Sequence, residues 1–231
     1  MGRTRTMPLA GQGMLLTSMN IDVPDEADFN RWYDREHLEE RVAIEGFLEA
    51  RRYVAHAANP KYLSLYSTAT LDVLDSPAYR ARLANQTEWS RRTMAHFKNM
   101  LRVVARITIS KGTGRGAALG LVRLRPSADN AGTWRDALHE KLTPGEREGI
   151  ISMHLLESEP ELSGATADIP AVRNEGARVW FVLIDGTHVG AVSAVIAERF
   201  TGPAASPFPL PVSVGTYSLM WDLAKSDIAS G

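Results

Sequence analysis

The chain has 231 residues, 44% hydrophobic and 23% charged, the make-up of an ordinary globular protein with enough residues for a sizeable core. A formal net charge of −1 without runs of like charge argues against a nucleic-acid partner, and the absence of cysteine removes disulfides, thiolate nucleophiles and zinc–thiolate sites. No stretch approaches the roughly 20 apolar residues that cross a bilayer, and the apolar start is broken at Gly11, Gln12 and Gly13, so we expect no signal peptide, no membrane partner and a cytoplasmic location.

Residues 1–12 read as a flexible tail. Met14 to Ile21 alternates as a half-buried strand, with Leu15, Met19 and Ile21 on one face. Through Pro24 the chain enters a helix expected from an N-cap at Asp25 to about Ile44, closed by Gly46 as a left-handed C-cap. Steps of about 100° gather Phe29, Trp32, Tyr33, Glu36, His37, Glu40 and Ile44 into one inward arc. Leu38 and Val42 fall opposite, on the wet side, where they predict a homodimer contact. Glu49 to His56 and Tyr62 to Ala69 form a hairpin around Asn59-Pro60. Ser76-Pro77 caps a helical stretch that Thr87 recaps, with Trp89, His96 and Phe97 on its inner side, and Leu101 to Ser110 is a strand rich in β-branched residues.

That order is β-α-β-β-α-β, a ferredoxin-like unit over residues 13–111. Residues 112–116, rich in glycine, lack the lysine-hydroxyl pair of a phosphate loop and read as a mobile joint. The same order recurs over 117–225: strands at Ala118–Pro126, Gly149–Ser158, Arg178–Asp185 and Ser213–Leu223, helices at Thr133–Leu142 and Val189–Phe200, then a tail over 226–231. Each unit leaves one sheet face bare, so the predicted fold is α+β, two tandem ferredoxin-like repeats whose bare faces meet as a dimeric-α+β-barrel-like fold. By alternation Leu63 and Leu65 suit the helix side, which would turn Tyr62, Ser64 and Tyr66 into the barrel. For Arg51-Tyr53 against Arg52-Val54, either set could face in.

The first repeat resembles the EthD-like group of the dimeric α+β barrel superfamily. The likeness lies in Trp32-Tyr33-Asp34-Arg35-Glu36-His37, Gly46-Phe47, Arg51-Arg52-Tyr53, Ser76-Pro77-Ala78-Tyr79 and Thr87-Glu88-Trp89-Ser90-Arg91-Arg92. It covers roughly residues 14–110, and the second repeat has no matching Glu-His pair. The resemblance implies a mostly apolar cavity, often completed by dimerisation, and relatives that include cofactor-free isomerases, cyclases and small monooxygenases using a helix histidine with tyrosines. His37 matches that histidine, and Tyr53 and Tyr66 match the phenolic partners by strand position.

His37 is therefore the expected acid–base group, since imidazole titrates near neutrality. Glu36, Tyr53 and Tyr66 join it as catalytic candidates, and Trp32, Trp89, His96 and Arg52 as substrate-binding ones. Each has a plainer reading: Glu36 pairing with Arg51 or Arg52, the tyrosines packing, His96 in the core. No spacing marks a metal site, no axial histidine for haem stands out, and no cofactor is expected. The resulting expectation is a cofactor-independent isomerase, cyclase or lyase acting on a small apolar carbonyl or aromatic metabolite. The alternatives are a small-molecule binding or sensing barrel, or a structural dimer without a site.

Overall fold

The computed structural model describes residues 9–163, 178–205, 208 and 210–228. The first repeat opens with β1 (Gly13–Asn20), followed by α1 (Val23–Trp32), a π turn (Tyr33–His37) and α2 (Leu38–Val42). The helix starts three residues earlier than expected, with Asp22 at the N-cap in extended conformation, Pro24 in the first turn, and Asp25 and Glu26 facing the positive end of the dipole. Gly46 takes φ +84°, and a Cβ there would stand 2.5 Å from Val73, so glycine is required. Next come β2 (Phe47–Ala57), β3 (Tyr62–Thr68), α3 (Pro77–Ala84), α4 (Glu88–Met94) and β4 (Lys98–Gly112). Ser76 and Thr87 cap α3 and α4 by accepting from the Tyr79 and Ser90 amides.

The second repeat consists of β5 (Ala118–Leu124), α5 (Ala131–Lys141), β6 (Ile150–Ser158), β7 (Trp180–Gly186), α6 (Val189–Ile196) and β8 (Ser213–Ala224). All eight strands close into one antiparallel barrel in the order β1-β3-β2-β8-β5-β7-β6-β4. The repeats join edge to edge at two seams, β2 with β8 and β4 with β6, so each repeat pairs the edges of the other. The fold is thus α+β, tandem ferredoxin-like repeats in a closed barrel.

The lumen overturns one expectation. Leu63 and Leu65 point into it and pack with Met14, Leu16, Tyr53, Val103, Phe181 and Leu183, whereas Tyr62 and Tyr66 lie under the helices with Phe29, Trp32 and Tyr33. The middle of the barrel is a filled apolar core, because side chains from both repeats meet there and must exclude water. Arg51 and Tyr53 share that interior, and Arg52 faces the helix layer.

The described parts of the three segments expected as tails or joint also make contacts. Leu9 is buried in the lumen core, and Gln12 bonds β3 and β4 through its backbone, so only residues 1–8 of the predicted tail lie outside the described residues. At the other end Ile228 packs on the first repeat, and 229–231 are outside. In the joint, the Gly114 carbonyl accepts from Ser152, the Gly116 carbonyl accepts from Arg51 and the Gly116 amide donates to Asp185. A Cβ at Gly116 would sit 1.9 Å from the Gly186 carbonyl, so glycine here serves close packing.

Candidate functional site

The π turn decides which side chains reach the site. At its end the Leu38 amide donates to the Tyr33 carbonyl five residues back, so residues five apart come into line. His37 accordingly lies against Trp32, with ring centroids 4.1 Å apart at 31°, and edge-on to Tyr33 at 5.1 Å. The extra residue also turns Leu38 and Val42 inward, where both are fully buried in the first-repeat core. The dimer surface expected at these two residues therefore does not exist.

His37 borders a cavity of about 30 Å³ between the helices and the outer face of the first-repeat sheet, with room for a few heavy atoms. β1 contributes Leu15, Thr17 and Met19, the helix Tyr33, His37 and Arg41, β3 Tyr66, and β4 Met100 and Arg102. Tyr79, Leu83, Met94 and Phe97 complete the wall, and among the described lining residues only Met94, at the end of α4, is not fully buried. Four polar atoms of lining residues are buried with no hydrogen-bond partner among the described residues: Thr17 Oγ1, His37 Nδ1, Arg41 Nη1 and Tyr66 Oη. Buried polar groups are almost always satisfied, so the gathering of four such atoms around one small space makes it the candidate site.

The charge states follow from burial. Burial pushes the His37 imidazole well below its ordinary value of 6.5, and the positive charges of Arg41, Arg52 and Arg82 push it further. At neutral pH it is an uncharged base. Burial holds the Tyr66 hydroxyl well above 10, so it remains a neutral donor.

The other predicted residues separate. Trp32 stacks on His37 and donates from Nε1 to Glu36 Oε1 and Ser90 Oγ. Glu36 Oε1 also accepts from Thr87 at 2.6 Å and Ser90 at 3.0 Å, which ties α4 to the first helix, and the expected pairing with Arg51 or Arg52 is not made. Arg52 bonds Asp34 and Asn30 and lies 4.1 Å over Tyr33, behind the cavity wall. Tyr53 is in the lumen, on the other side of the sheet from His37. Trp89 donates to Asp28 under Arg31 near the surface. His96, two residues past the end of α4 at Met94, is exposed and paired with Asp25 at 2.9 Å. Thr17 and Arg41 were missed, although each carried a signal: a hydroxyl between Leu15 and Met19 on an apolar strand face, and an arginine four residues beyond His37.

No family model and no curated protein sequence matches the chain. Solved structures do. An anthrone oxidase-like protein superposes with a TM-score of 0.61 at 12% identity, covering 97% of this chain and 98% of its own. A candidate monooxygenase from Lactobacillus acidophilus gives 0.57 at 10%, covering 93% and 97%. A heme-binding protein from Thermus thermophilus gives 0.52 at 12%, covering 95% and 94%. At these identities the likeness is one of fold, and it spans both repeats. The chain has the dimeric α+β barrel fold, with both halves in one polypeptide.

Proposed function

We propose that the protein is an acid–base enzyme of the isomerase, cyclase or lyase type that uses His37 and Tyr66 on a small carbonyl-bearing metabolite and needs no cofactor for the proton transfer. The observation that carries this reading is that His37 Nδ1 and Tyr66 Oη, both buried and unpartnered among the described residues, border one cavity, with ring centroids 6.3 Å apart. A reacting carbonyl fits between them. Neutral His37 takes a proton from the carbon beside the carbonyl, the electron pair moves onto oxygen, and Tyr66 donates a hydrogen bond to that oxygen. The imidazolium formed is a strong acid in this setting, and it returns the proton to a second carbon or to a departing hydroxyl. Trp32 fixes the ring by stacking, and the thioethers of Met19, Met94 and Met100 adapt to the substrate's apolar part.

The kinship to the EthD-like group, resting on the Trp32 to His37 run, and a cytoplasmic location belong to this reading too. Among the described residues no helix is long and apolar enough to cross a membrane. A porphyrin, as in the heme-binding structure of similar fold, does not fit a 30 Å³ cavity, so no step runs through one. The test is solvent deuterium exchange into a panel of small ketones, followed by NMR. His37→Ala should lower exchange by roughly 10²-fold or more, and Tyr66→Phe by less. Exchange that survives His37→Ala would overturn the assignment, and saturable binding without exchange would move the protein to the binding class.

A further inference from the structure

Among the arginines near the site, one stands apart. Arg51 is paired with Asp185, Arg52 with Asp34 and Arg82 with Glu40. Arg41 is 4% exposed, yet its Nη1 has no partner among the described residues. The nearby Glu40 carboxylate acts on it only through space, being bonded to Arg82, and a buried guanidinium without an ion pair of its own is costly to keep, the ordinary remedy being an anion. The cavity it lines contains a second arginine, Arg102, whose Nη2 bonds Tyr79 Oη and whose Nη1 bonds the Leu162 carbonyl. The thirteen lining residues among the described ones include no aspartate or glutamate. The unpartnered Arg41 Nη1, Tyr66 hydroxyl and Thr17 hydroxyl can all donate hydrogen bonds, while His37 Nδ1 is left as the acceptor its role as base requires. That set is matched to an oxygen-rich anion.

We infer that the cavity takes the carboxylate of its ligand, held on Arg41 and Thr17, so that the substrate class is a small carboxylic acid whose carbonyl reaches Tyr66 and His37. This rests on the proposed acid–base reading and narrows its substrate. The size agrees, since a carboxylate and an adjoining carbonyl are only a few heavy atoms. Charge makes the site self-adjusting. The groups acting on His37 are the cations Arg41, Arg52 and Arg82, with Tyr33 and Tyr66 beside it, Glu36 tied up with Trp32, Thr87 and Ser90, and Glu40 paired with Arg82. An anion on Arg41 offsets that cation's push on the imidazole and makes His37 a stronger base when substrate is present.

Acetate and acetamide have the same shape and differ in charge, which makes them the probes. The His37 ring signals, assigned by comparison with His37→Gln, are followed by NMR while each probe is titrated into the full chain at constant ionic strength and pH 7. Acetate should shift these signals saturably, bind at least ten-fold more tightly than acetamide and raise the His37 pKa. Arg41→Gln should bring acetate down to the level of acetamide, with Arg41→Lys intermediate. If acetamide binds as well as acetate, or Arg41→Gln leaves acetate binding intact, the anion assignment is overturned and the ligand cavity stands. If neither probe reaches His37, the inference and the reading beneath it both fail. Should Arg41→Gln not fold, the two probes on the unmodified chain still decide.

Discussion

Burying His37 in its neutral form links stability to pH. The unfolded chain carries an imidazole that titrates near 6.5, whereas the folded one titrates well below. Between these two values the unfolded state binds more protons, so stability falls as pH drops from about 6.5 towards the folded-state value, by up to about 1.4 kcal/mol per pH unit from this group. Above 6.5 the term vanishes. His37→Gln removes it, so urea midpoints should show the variant gaining on the unmodified protein between pH 7 and pH 5; a constant difference across that range would mean the imidazole is not held neutral. At this scale the inward placing of His37 and Trp32 was legible in the sequence, because aromatic and titratable residues share one helix arc, whereas Tyr66 was expected in the barrel and lies under the helices instead. Thr17 and Arg41 gave only weak signals, since a threonine in a strand and an arginine in a helix are common, and coordinates are needed to show that their polar atoms lack partners among the described residues.

The helix wheel held for Phe29, Trp32, Tyr33, His37 and Ile44 and failed for Leu38 and Val42, which it set on the wet side. A wheel assumes 3.6 residues per turn, and the π turn inserts one more, which kept His37 inside, brought Leu38, Arg41 and Val42 in with it, and left Glu36 to the contact with α4. No residue in Tyr33–His37 forbids an ordinary α-turn, so the insertion reflects packing and could not be read from local sequence. Glu36 now has a structural task that a variant can separate from catalysis. Glu36→Ala leaves Trp32, Thr87 and Ser90 without their shared acceptor and should lower unfolding stability by about 3 kcal/mol, whereas Glu36→Gln keeps an acceptor oxygen and should cost less than about 1 kcal/mol. If Glu36→Gln instead abolished turnover at full stability, Glu36 would be restored as a catalytic group.

The order of elements, repeated twice, was readable from alternation and turn chemistry, and it implied closure of two bare sheet faces. What alternation could not say is which strand face looks inward. Strand β3 is buried on both sides, so tyrosines and leucines are equally suited to either, and the choice is made by partners far away in sequence, Phe181 and Leu183 inside, Phe29 and Trp32 outside. The same long-range pairing gives the molecule a point of leverage. Arg51 of the first repeat donates to Asp185 of the second at 2.9 Å and to the Gly116 carbonyl at 2.8 Å, at the end of the barrel where the joint enters. The pair is nearly free of solvent, with side chains 6% and 1% exposed, and His154 lies 3.6 Å from the other Asp185 oxygen. Asp185→Ala strands a buried guanidinium and should cost about 3–5 kcal/mol, against less than about 1 kcal/mol for Asp75→Ala in the exposed pair with Arg80. Because two seams of backbone hydrogen bonds run between the repeats, neither half has a complete sheet without the other. Urea unfolding of Asp185→Ala, followed by tryptophan fluorescence and circular dichroism, should therefore shift as one transition with both signals coincident. Two separated transitions would show that the repeats hold their structure independently and that the shared barrel is not what keeps them folded.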